Sequence, residues 1–98
     1  MNKKRNSIDC IKIKVAPILK NAGVLNASIF GSFARGEQTE TSDVDLLVEF
    51  PQGKTLFDLV DLKMRLEEVL GTRVDVVTPN ALSPKLLPFI QNELIPIL

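Results

Sequence analysis

The chain has 98 residues, 45% of them hydrophobic, and its Lys plus Arg and Asp plus Glu balance at 12 each, giving a formal net charge of zero. That size fits one domain over residues 1–98 with a modest core, and the absence of a basic surplus excludes a general nucleic-acid binder, which must replace phosphate counterions. With no histidine and Cys10 as the one cysteine, His-ligated zinc, Ser-His-Asp triads and internal disulfides are excluded, so proton transfer falls to carboxylates, lysine or water.

The basic cluster Lys3-Lys4-Arg5 is not followed by an uninterrupted apolar stretch, so neither a secretion leader nor a membrane span is expected, and the lone cysteine suits a reducing cytoplasm. Ser7 reads as the N-cap of a helix carrying Ile8, Ile11, Val15, Ile18 and Leu19 on one side and ending near Gly23. Pro17 falls inside that pattern and removes a backbone donor, which predicts a kink or two short helices. Val24 to Phe30 reads as a strand, Ser32 to Gly36 as the first turn of a short helix, and Glu37 to Thr41 as a polar loop. A second strand, Val44 to Phe50, is apolar apart from Asp45 and Glu49, as an interior position in a helix-covered sheet requires. Thr55, with Asp58 three residues on, caps a helix whose apolar positions are read as Leu56, Leu59, Val60, Met64, Leu66, Val69 and Leu70, stopped by Gly71. Arg73 to Thr78 reads as a third strand. Beyond Pro79, Ser83-Pro84 can start a helix that Pro88 and Pro96 keep short. The tail holds Leu86, Leu87, Phe89, Ile90, Leu94, Ile95, Ile97 and Leu98, too apolar for a solvated end. It reads as a cover for the sheet, with part of it available as an oligomer or partner surface. The fold class is α/β, a short mixed sheet with flanking helices.

Chemistry concentrates in Ile29-Phe-Gly-Ser-Phe-Ala-Arg-Gly36 and Ser42-Asp-Val-Asp-Leu-Leu-Val-Glu-Phe50. An apolar strand ends at Gly31, where a phosphate could approach the backbone, and Ser32 can bind phosphate or only cap the following turn. Arg35 can neutralise triphosphate charge or simply face solvent. On a strand, residues two apart share a face, so Asp43 and Asp45 project together while Val44, Leu46 and Val48 point to the core. Asp43 alone would be an ordinary loop carboxylate. Asp45 among apolar neighbours is costly unless something pairs with it, and Asp75 within Val74-Asp-Val-Val77 repeats the anomaly. Facing carboxylates repel unless a cation separates them, and a hard divalent ion, Mg²⁺ before others, fits oxygen ligands. Lys54-Thr55 after Gly53 is no phosphate loop, because the first glycine would fall at Val48.

Gly31-Ser32, ten intervening residues and Asp43-Val44-Asp45, with Arg35-Gly36 and Ser42 flanking, resemble the signature of the polymerase-beta-like nucleotidyltransferase superfamily, in particular its minimal (MNT) branch. The likeness spans nearly the whole chain. It implies a nucleotidyltransferase fold, with ATP held at Gly31, Ser32, Arg35 and Ser42, Mg²⁺ bound by Asp43, Asp45 and Asp75, and Asp75 as the third catalytic carboxylate that helps activate an incoming hydroxyl. MNT proteins are commonly paired with HEPN-domain ribonuclease toxins and can silence them by transferring AMP to a tyrosine, so the resemblance implies an antitoxin acting as a protein adenylyltransferase. A chain this short leaves little material for an acceptor-binding domain of its own. Stoichiometric masking of a toxin without catalysis, and transfer to a small molecule such as an aminoglycoside, are the alternatives.

Overall fold

The computed structural model describes residues 8–37 and 43–98; the expected cap Ser7 and the signature residue Ser42 lie outside the described residues. Helix α1 runs over Ile8–Asn21 and buries Ile11, Val15 and Leu19, the spacing expected of an amphipathic helix. Of the two expected outcomes, division into two short helices does not occur: Pro17 lies inside one continuous helix. The carbonyl that loses its partner belongs to Ile13, and both Ile13 and Pro17 are exposed, so water can satisfy the freed oxygen.

Strand β1, Asn26–Phe30, is followed by the single-turn helix α2, Ser32–Arg35, and then by β2, Val44–Glu49. The long helix α3, Leu56–Leu70, begins at Thr55, whose N–H donates to the Asp58 carboxylate at 2.8 Å, and ends where Gly71 turns left-handed (φ 70°). Strand β3, Val74–Val77, follows directly. The sheet order is β3-β2-β1-β4, with β1 and β2 antiparallel and β2 and β3 parallel, joined by α3 as the crossover.

The tail forms a 3₁₀ turn at Pro79–Ala81, a short helix α4 at Leu87–Gln91 with Pro88 in its first turn, and a strand β4 at Ile95–Pro96. It therefore extends the sheet as an edge strand rather than lying across it: β4 pairs antiparallel with β1, and the Ile97 N–H donates to the Ala27 carbonyl at 2.9 Å. With Ile97 in the core and Ile95 and Leu98 packed against it, these residues are consumed internally and give no support to an oligomer surface there.

One core lies between α1, α3 and a single face of the sheet, built from Ala27, Ile29, Val44, Leu46, Val48, Leu62, Leu66, Val74 and the α1 stripe. The inward face of α3 agrees only in part with the one expected. Leu66 is buried and Leu59 and Leu70 pack against the core, joined by the buried Leu62, whereas Leu56, Val60, Met64 and Val69 are exposed, as is Phe57. This helix is apolar on two sides, and periodicity alone could not say which side meets the sheet. The other sheet face presents Ser28, Phe30, Asp45, Leu47 and Asp75, none of them fully buried.

Because the chain's end is held by the short β4 and, just after it, the fully buried Ile97, Ile97→Ala should lower stability by about 2–4 kcal/mol with an unchanged denaturant slope. Urea unfolding followed by circular dichroism measures this; a loss below about 1 kcal/mol would mean the tail is not integral to the core.

Candidate active site

The polar face of the sheet is acidic at one end. Parallel pairing of β2 and β3 sets Asp45 opposite Asp75, and antiparallel pairing of β2 and β1 sets Asp45 opposite Phe30, one residue before Gly31. Asp43 directly precedes β2 and is half-buried. Burial, the charge of Asp75, a hydrogen bond shared with Asp75 and the charge of Asp43 together push Asp45 up to about 6, while Arg35 opposes the shift. The three carboxylates thus converge electrostatically on Asp45, and among the described residues none of them forms a salt bridge to lysine or arginine.

Gly31 closes the other side. Its φ of 78° is left-handed, and a Cβ at this position would overlap the Asp45 carboxylate. Only glycine lets the end of β1 pass this close to the acidic strand. Its N–H donates to Glu93 Oε1 at 3.0 Å. Ser32 opens α2 half-buried, with its carbonyl accepting from the Glu37 N–H at 2.9 Å. Arg35, exposed at the end of α2, donates through Nε to Glu37 at 2.9 Å and through Nη1 to both oxygens of Glu93 at 3.2 Å. These two carboxylates raise its already high pKa.

Glu93 was not anticipated as part of this constellation. The available signal was a single acid next to Leu94 and Ile95, in a tail otherwise almost free of charge. Its neighbours are distant in sequence, and only the pairing of β4 with β1 brings it to Gly31.

A concavity of about 500 Å³ lies elsewhere, at the far end of β2, and is lined by Glu49 to Leu56, Leu59, Thr78, Pro79 and Asn80. The chemistry-bearing groups lie on the open sheet face instead. Among the described residues no group of three His, Cys, Asp or Glu side chains is disposed to hold a metal ion. A cation at these acids would need oxygens from a bound phosphate as well, the way Mg²⁺ is held by one or two carboxylates together with substrate oxygens. The donor set fits such an ion: hard oxygen ligands, with Asp45 half-buried, facing Asp75, and reluctant to carry its charge without a cation.

Residues 12–97 match the nucleotidyltransferase domain family, and the chain belongs to it. Two curated relatives bear on its subclass. A Methanocaldococcus jannaschii protein, provisionally named a protein adenylyltransferase, is 58% identical over 92 residues that cover 94% of this chain and 99% of the relative. The protein adenylyltransferase MntA of Thermococcus cleftensis is 38% identical over 73 residues, 74% of each chain. A solved structure provisionally assigned as a minimal nucleotidyltransferase is 42% identical and superposes with a TM-score of 0.80 over 91% of both chains. A toxin-antitoxin structure with AMP-PNP has a TM-score of 0.78 at 21% identity, covering 89% of this chain and 72% of that one, a likeness of fold. The mixed four-strand sheet with flanking helices is thus a nucleotidyltransferase fold.

Asp45 holds its proton to about 6 in the folded chain against the ordinary 3.8, so folding takes up a proton between those values. Stability in the absence of divalent cations should therefore fall as pH rises from about 4 to about 6 and stay lower above that. Asp45→Asn should remove this dependence and raise the melting temperature at pH 7.5 by about 4–8 °C, the effect of ~1 kcal/mol on a domain of this size once solvent screening is allowed for. Thermal melts in EDTA across pH 4–8 measure both; a variant less stable than wild type at pH 7.5 would contradict the repulsion.

Proposed function

We propose that this chain transfers AMP from ATP to a hydroxyl, tyrosine by family resemblance, on a HEPN-domain toxin, and that it acts as that toxin's antitoxin in the cytoplasm. The observation that carries the proposal is the Asp45–Asp75 pair facing each other beside Gly31, a pairing that weakens the fold and that a phosphate-bound cation would relieve. Support for the partner comes from the named adenylyltransferase relatives and from a fold neighbour that is a tri-AMPylated Shewanella oneidensis HEPN toxin in complex with MNT antitoxin (TM-score 0.72, 17% identity, 92% of this chain and 71% of that one). Among the described residues no helix is long and apolar enough to cross a membrane.

Asp43, Asp45 and Asp75 would hold Mg²⁺, which when bound neutralises charge on the triphosphate and on the carboxylates. Gly31 gives the phosphates access to the backbone, and Ser32 and Arg35 supply donors beside it, with Ser42 next to Asp43 in sequence. Asp75, the most exposed of the acids, accepts the proton of the attacking hydroxyl. The acceptor oxygen forms a bond to the α-phosphorus, the bond from that phosphorus to the bridging oxygen breaks, and pyrophosphate leaves in line with the incoming group. Phe33, buried beneath α2, anchors the loop that carries these donors against the core.

Incubating the chain with Mg-ATP and its HEPN partner should add one or more adenylyl groups to the toxin, read by intact mass, and suppress its ribonuclease activity. Asp75→Asn should slow transfer by about 10²–10⁴-fold, the span of a lost general base. Full neutralisation by Asp45→Ala with no mass change on the toxin would instead establish masking without catalysis.

A further inference from the structure

Two of the donors assigned to the triphosphate, the Gly31 N–H and the Arg35 guanidinium, are already engaged in the isolated chain. Gly31 has one N–H, and it is spent on Glu93 Oε1 at 3.0 Å; Arg35 Nη1 contacts both oxygens of the same carboxylate at 3.2 Å. A carboxylate oxygen that receives a backbone N–H and a guanidinium together is bound as a phosphate oxygen would be at those donors. Resting on the nucleotide-binding reading above, we propose that Glu93 is an internal rival of the triphosphate, docked on the anion donors in the free chain and displaced when nucleotide binds, so that it sets the affinity for ATP.

Three observations support a role beyond holding the tail. The tail is already fixed on either side of Glu93: its own N–H donates to the Ile90 carbonyl at 3.0 Å, Ile95 pairs with Ile29, and Ile97 is buried and bonded to Ala27. A neutral side chain could accept the Gly31 N–H equally well, so the structural need is for an acceptor rather than a charge. The charge stands in an acidic neighbourhood, because Gly31 has Asp45 against its α-carbon on one side and Glu93 on its nitrogen on the other. Arg35 answers Glu93, and it is shared with Glu37. The Arg35 side chain is 46% exposed and that of Glu93 24% exposed, so the pair sits in solvent-screened surroundings where ion pairs hold weakly. Such a contact opens readily to a ligand carrying more charge.

If the docked form makes up about nine-tenths of the free chain, the apparent Kd for nucleotide is about tenfold weaker than that of the open form. Titration calorimetry with Mg-ATP on the full chain, with Glu93→Gln and Glu93→Ala beside wild type, tests this. Both variants should bind about three- to tenfold more tightly than wild type, and where transfer is measured the KM for ATP should fall in step while kcat holds. Glu93→Gln retains an acceptor for the Gly31 N–H and guards against a fold defect, which a thermal melt of each variant reports. Folded variants that bind Mg-ATP no more tightly than a wild type that does bind would overturn the rival role alone. Absence of binding by every form would overturn the nucleotide reading and this inference with it.

Discussion

The constraint on which the site depends is the register of β2 against β3. Val44, Leu46 and Val48 are buried on one side of β2 and Val74 on the facing side of β3, so neither strand can slip by one residue without turning its apolar set outward. That same register drives Asp45 against Asp75 on the open face. The hydrophobic core therefore supplies the force that holds the two acids together, and the raised proton affinity of Asp45 follows first from its burial and then from the charge of Asp75. A pair of acids in a merely structural role would be expected to relax apart or to recruit a lysine or arginine; among the described residues these do neither.

Around this pair the chain uses its smallest and its most charged residues for complementary ends. Gly31 lets backbone come close to the Asp45 carboxylate where any side chain would collide. Arg35 stands within electrostatic reach of Asp45, yet its direct contacts are with Glu37 and Glu93. The strand at the chain's end, short as it is, brings a fourth acid to the same glycine. Acidic groups thus surround a set of cationic and N–H donors, an arrangement suited to a ligand that is itself a polyanion carrying divalent cations.

Much of this was legible in the sequence because it follows from period-two alternation. Val44, Asp45, Leu46 and Val48 declare both a strand and the side on which the acid falls, and Asp75 among valines repeats the statement. What was not legible depends on distant contacts. Pro17 reads as a helix breaker, yet the carbonyl it orphans is exposed to water, which only the packing of α1 decides. Helix α3 carries apolar residues on two faces, and choosing between them requires knowing where the sheet lies. The tail's apolar residues announce burial but not β-pairing, and so Glu93 could not be placed beside Gly31. Ser42 completes the signature in sequence and lies outside the described residues.

Membership of the nucleotidyltransferase domain family agrees with this geometry, and curated relatives of the chain are named protein adenylyltransferases. On the proposed function, the facing acids share divalent cations with a nucleotide. The most direct measurement is an anomalous difference map from crystals grown with Mn²⁺ and a non-hydrolysable ATP analogue. Metal peaks are expected between the Asp43 and Asp45 carboxylates and phosphate oxygens, with Asp75 alongside. Nucleotide bound elsewhere, or bound here with no metal at these carboxylates, would contradict the proposed function.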